Sequence, residues 1–289
     1  MCKIIESEFE EETVILDFED NKFIEGNICA TLGLIIDYFG LNKKVEFQNI
    51  KNDINVFFGK NNFYRKVGTK SFKDRHSTTI KYKEFTSNRC DDEIGEYILE
   101  EVLSNRGFSL PEEAIKNLLS DCIFELFENA YFHGNAHSIY TCGQFFPFKK
   151  KLIFSIVDFG KTIPDNVLRK ISLSEDSKCI EWAVRYQNST KVLVNGYPGG
   201  SGLFLLEKFI QQRNGWLQIV SRKGFYEKNF ENGITIEKEE LESGFPGTII
   251  SFCIEYKADD TQFIQATEEE SIDSVIQNLF RRDIYDENN

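Results

Sequence analysis

No apolar run in this 289-residue sequence approaches the roughly 20 residues that a helix needs to cross a bilayer, so no membrane partner is expected. The opening stretch, MCKIIESEFEEET, is acidic and lacks the pattern of a secretion signal, which points to a cytoplasmic location. Positive charge is in short supply: Lys and Arg number 34 against 47 Asp and Glu, a formal net charge of −13. Such a surface repels phosphate backbones at long range, which makes nucleic acid a poor default partner. The one basic run, Lys149-Lys150-Lys151, is too short to form a patch and reads as the flank of a solvated turn. Metal-binding cysteine pairs are missing too. The seven cysteines (Cys2, Cys29, Cys90, Cys122, Cys142, Cys179, Cys253) are scattered, with no CxxC and no local His/Cys cluster, which argues against zinc. An odd, dispersed set reads as reduced thiols, several of them small core residues.

What is present is an ordinary globular composition, 41% hydrophobic and 28% charged. A chain this long buries about 75% of its unfolded surface and needs no disulfide or metal staple. Val14–Phe18 reads as a strand, Ile28–Phe39 as a helix stopped by Gly40, Lys44–Ile50 as a second strand and Ile54–Tyr64 as a helix. That order predicts a small α/β domain over 1–85. Lys81–Thr86 is strand-like, and Asp91–Ser104 is a helix with acidic residues in its first turn. A further helix is expected from Pro111 to Phe132, capped by Ser109. Strands are expected at Ser138–Gln144, Lys151–Val157, Trp216–Ser221 and Thr248–Tyr256, and a helix at Gly202–Arg213. Gly160–Gly199 reads as a long irregular stretch with an amphipathic patch at Cys179–Tyr186. These elements place a second domain over 86–258, followed by a terminal helix and tail over 259–289. The expected class is therefore α/β (α+β).

Three separated elements carry chemistry. In Glu125-Leu-Phe-Glu-Asn129-Ala-Tyr-Phe-His133-Gly134 the polar positions fall four apart, on one face of an otherwise apolar helix. A carboxylate and an amide on such a face need partners, and magnesium with phosphates and water would supply them. Capping of neighbouring backbone would also satisfy them. Next, the apolar strand Leu152–Val157 ends in Asp158-Phe-Gly160-Lys-Thr162-Ile-Pro164. An ionised Asp there can accept from an exocyclic amine, and glycine lets a planar base approach the backbone, although Asp-x-Gly is also a common turn. Last, Gly196-Tyr-Pro-Gly199-Gly200-Ser201-Gly202-Leu203 opens an amphipathic helix and offers N–H groups to phosphates. It is not a Walker loop, because no Gly-Lys-Ser/Thr follows.

In their order these elements resemble the GHKL (Bergerat-fold) ATPase superfamily over roughly residues 110–256. Glu125-x-x-x-Asn129-Ala130 is similar to its N box, Asp158-x-Gly160 to its first glycine box and Gly200-x-Gly202-Leu203 to its second; Gly247-Thr248 before the last strand also fits. The resemblance implies a mixed sheet covered by helices and a bound ATP with Mg2+. Asn129 would hold the magnesium, and Glu125 would orient water or a hydroxyl. Asp158 with Gly160 would face the adenine amine, and Gly200, Ser201, Gly202 and Leu203 the phosphates. Thr248 would lie near the base, and about 160–199 would be a lid. Thr162 and Phe204 stand where the superfamily carries glycines, which bears on lid closure and turnover. The form with His133-Gly134 and Gly-Gly-x-Gly-Leu-Phe-Leu at 199–205 is most similar to bacterial anti-sigma-factor serine kinases. Val14–Gly40 resembles a STAS domain, but Ile24-Glu25-Gly26-Asn27 lacks the hydroxyl that such domains phosphorylate. The implied function is a signalling ATPase or serine/threonine kinase acting on a protein partner. The alternatives are a nucleotide-gated binding module with little turnover and, disfavoured by the acidic charge, a DNA-associated ATPase. Many members dimerise, so a homodimer is compatible.

Overall fold

The computed structural model describes residues 12–40, 43–68, 71–86, 89–104, 113–185 and 202–255. Near the N-terminus, β1 (Thr13–Asp17) buries Val14 and Leu16 and pairs in parallel with β2 (Lys44–Gln48). Parallel neighbours need a crossover, and α1 (Ile28–Gly40) supplies it. Its sequence is apolar nearly all round, because both sides are covered: it lies between this pair and a larger sheet. At Gly33 any Cβ would collide with the ring of Tyr82, so a glycine is what allows the helix to sit that close. α2 (Asn52–Lys60) and a 3-10 turn at Phe63–Arg65 replace the single helix expected to Tyr64. The break falls at Asn62, in the left-handed region with φ 71°.

The larger sheet contains β3 (Thr79–Thr86), β4 (Ser138–Phe146), β5 (Lys151–Asp158), β6 (Trp216–Asn229) and β7 (Thr235–Glu255), in the order β3-β4-β5-β7-β6. The α/β class is as expected. The sheet is antiparallel at every pairing rather than mixed, and parallel pairing is confined to β1–β2. Short hairpin turns after β4 and β6 can join only antiparallel neighbours. β3 falls inside the span expected for the N-terminal domain, yet it bonds to β4 as an edge of the larger sheet.

Strand alternation divides the core into two layers. Leu152, Phe154 and Ile156 of β5 and Ile250, Phe252 and Ile254 of β7 face helices. These are α3 (Asp91–Tyr97, continued by a π-helical turn, Ile98–Leu103), α4 (Glu113–Glu128, continued by a second such turn, Asn129–His133), and two later helices, α6 (Asp176–Val184) and α7 (Gly202–Gln212). Tyr82, Tyr140, Cys142, Val157 and Phe245 point the other way and share a core with α1, α2 and the β1–β2 pair.

Three regions differ from expectation or lie beyond it. Gly160–Gly199, read as irregular, contains the short α5 (Ile163–Val167) as well as α6. The strands expected at Trp216–Ser221 and Thr248–Tyr256 match only the inner halves of β6 and β7, the latter ending at Glu255 with Tyr256 outside the described residues; the outer halves form a hairpin arm through Gly224–Gly244. The charged run Glu237-Lys238-Glu239-Glu240 hides those strands, because cross-strand pairing rather than an apolar pattern holds them. The helix expected at Glu268–Arg281 and the lid residues 186–199 lie outside the described residues. Among the described residues, no helix is long and apolar enough to cross a membrane.

Candidate functional site

Asp158 ends the central strand of the sheet on its helix-covered face, and in the antiparallel register its partner is Thr248. Two of the sequence-selected residues therefore stand side by side. Both are buried, with Asp158 at 7% exposure. The Thr248 backbone N–H donates to the Asp158 carboxylate, but Oδ1 has no partner among the described residues. Burial pushes this carboxyl well above the usual aspartate range, and the single backbone bond offsets only part of that.

Glycines crowd this aspartate. A Cβ on Gly134 would come 3.1 Å from Oδ1, and one on Gly160 3.2 Å from it. A Cβ on Gly247 would strike the Asp158 carbonyl. The Gly134 carbonyl also accepts from the Lys161 N–H at 2.6 Å, which ties the end of the α4 segment to the loop after β5. Residue types that admit no side chain thus surround an unsatisfied buried acceptor. That is the environment expected of a polar group that receives a donor from a ligand.

The row on α4 is half-buried at Glu125 and Asn129. The helix widens at Asn129, whose carbonyl accepts from the Gly134 N–H at 3.0 Å. Single π-turns of this kind occur often at functional sites. A Cβ on Gly202, the first residue of α7, would overlap the Glu125 side chain, so the start of α7 and the polar row on α4 are in direct contact. Leu203 packs against the helix-side core. Gly200 and Ser201 lie outside the described residues, as does the side chain of His133. No group of three or more His, Cys, Asp or Glu side chains gathers as a metal cage among the described residues. A magnesium ion at Asn129 would therefore take its remaining oxygens from phosphates and water, the usual manner for this ion.

Thr162 has a structural explanation that the glycine pattern concealed. It caps α5: its Oγ1 accepts from the Asp165 N–H at 3.1 Å, and Asp165 Oδ2 accepts from the Thr162 N–H at 3.2 Å. The sequence signal is Thr-x-Pro-Asp, a capping box with proline in the first turn.

Sequence reasoning missed Ser221 and Arg222. The Ser221 hydroxyl accepts from the Ile163 N–H at 2.9 Å and lies 2.9 Å from Thr248 Oγ1, joining β7 to α5. Arg222, held at φ 53°, grips Asp176 with Nε 2.6 Å from Oδ2 and reaches Asp165 at 3.3 Å. Arg222 thereby fastens α6 to the sheet. No local pattern in the sequence marks either residue, because each acts across elements.

Burial pushes the Asp176 carboxyl up, but the bonds from Arg222 and the Lys223 N–H outweigh it and hold it below its ordinary value. An acid with a depressed native pKa stabilises the fold above its unfolded value, near 3.9, and loses that contribution as pH falls through the native value. The clamp is therefore intact at neutral pH and opens only in acid below about pH 4. Arg222→Ala is expected to open it at pH 7. Limited proteolysis then cuts within 163–185 faster than in wild type, with the rates at other sites unchanged.

No protein-family model matches the chain, and no curated protein sequence matches it at a significant level.

Proposed function

We propose that the chain binds ATP with magnesium through a histidine-kinase-like ATPase domain of the GHKL type. It would act as a signalling ATPase or serine/threonine protein kinase on a protein partner in the cytoplasm. The observation that carries this reading is Asp158: a buried carboxylate with one unsatisfied oxygen, ringed by Gly134, Gly160 and Gly247, beside Thr248. An exocyclic amine is the donor this oxygen lacks. Glu125 against Gly202 supports the same reading, since it puts a carboxylate that can polarise a nucleophile at the start of the glycine-box helix. The parallel β1–β2 pair with its crossover helix supports a STAS-like reading of the N-terminal segment.

Bound ATP would supply the phosphoryl group. The chain's own part is to receive the base amine at Asp158, hold phosphates at the α7 start and orient a nucleophile at Glu125. Calorimetry with ATP and magnesium is expected to show binding that Asp158→Ala abolishes; equal binding by both proteins removes the adenine assignment. ADP release above that of Glu125→Ala marks an enzyme, whereas release equal to that variant favours the nucleotide-gated binding module.

A further inference from the structure

A groove of about 680 Å³ opens at the end of the sheet beyond Gly134 and Gly160. Asp158, Asn129 and Thr248 are not on its wall. Strand alternation explains why: Phe159 points away from Asp158, toward the layer that carries the N-terminal segment. The groove therefore lies between that segment and the first glycine loop, behind the candidate nucleotide site.

Its volume falls in the range of small-molecule sites, and so does its chemistry, an apolar wall with a few polar groups. Tyr38 from α1 and Phe159 from the loop form the wall, their ring centroids 5.8 Å apart. They remain 36% and 37% exposed, so ring surface is left uncovered after they have packed on each other. Phe245 and Pro246 floor the groove. Charge is unevenly disposed around it. Asp165, the acid on the wall, is taken up by Arg222 and by the Thr162 N–H. Lys161 is exposed and forms no ion pair among the described residues. In a chain of net charge −13 this leaves an uncommitted lysine lining the same groove as two open rings, with Arg222, already bound to Asp165 and Asp176, and His137 also on its wall.

We infer that this groove is a second ligand site, which takes a planar aromatic anion with its ring on Tyr38 and Phe159 and its carboxylate, sulfonate or phosphate on Lys161. Stacking on the two rings supplies affinity, and the lysine selects for negative charge. The site stands on the groove alone and holds whether or not ATP occupies the neighbouring one.

A fluorescence titration of the full chain with 1-anilinonaphthalene-8-sulfonate tests it, with uncharged N-phenyl-1-naphthylamine as the comparison probe. Lys161→Glu is expected to weaken the sulfonate probe at least fivefold and to leave the uncharged probe unchanged. Tyr38→Ala is expected to weaken both. Lys161 is exposed, so its variant folds as wild type does, which thermal melting verifies. Asp158→Ala is expected to retain the probe, which separates this site from the nucleotide reading. Equal sulfonate affinity in wild type and Lys161→Glu overturns the proposal. So does competitive displacement of the probe by ATP in a protein whose probe affinity is unmoved by Tyr38→Ala.

Discussion

Asp158→Asn is expected to melt above wild type at neutral pH while losing ATP binding. An acid whose native pKa is raised stabilises the fold only in its protonated form. That contribution is present below the unfolded value, near 3.9, and is lost as pH rises toward the native value. Burial raises the Asp158 pKa in this way, so by pH 7 that contribution has been given up, and no group among the described residues satisfies Oδ1. Asparagine keeps the shape and carries no charge. Relief of an unsatisfied buried group is of the order of 1–3 kcal/mol, which in a domain of this size is a rise of about 2–8 °C in Tm. The gain is expected to be small at pH 4 and to grow toward pH 7. Melting curves across that range check it. A variant that melts at or below wild type throughout shows that Asp158 is there for stability, not for a ligand. Stability given up at one buried acceptor is the mark of a site that waits for a donor.

The second large effect concerns the meeting of α4 and α7. Gly202→Ala is expected to cost about 1–3 kcal/mol, since the added methyl overlaps the Glu125 side chain and a packed contact must open. In a Glu125→Ala background, where only the Cβ of residue 125 remains within 2.9 Å of the added methyl, the same substitution is expected to cost clearly less. Denaturant melts of the four proteins give the coupling energy directly. Additive effects would mean that the two boxes do not touch in solution.

These two results divide what was readable in the sequence from what was not. Local rules reached the elements whose apolar period matches their burial: β1, α1, α4, β5 and the inner halves of β6 and β7 all stand where periodicity places them. Motif order identified Glu125, Asp158, Gly202 and Thr248, and the fold makes neighbours of Glu125 and Gly202 and of Asp158 and Thr248. The outer hairpin arm is hard to read because its β7 strand is mostly charged and paired through backbone, while only Tyr226 and Phe230 on its β6 side reach the helix-side core. Thr162 was read against a glycine pattern when its neighbours Pro164 and Asp165 already spelled a helix cap. Ser221 and Arg222 could not have been found from spacing, since their partners lie 58 and 46 residues away in the chain. The antiparallel character of the whole sheet depends on how β7 returns between β5 and β6, which no local signal records.

The layer shared by the N-terminal segment and the sheet has a practical consequence. Tyr140, Cys142, Val157 and Phe245 are covered by side chains of the N-terminal segment. Cutting the chain at 85/86 would strip these side chains bare and separate β4 from its edge strand, leaving a long unpaired backbone open to self-association. The N-terminal segment and the inner face of the sheet share one core. Whatever pulls on α1 pulls on the middle of the sheet that ends in Asp158.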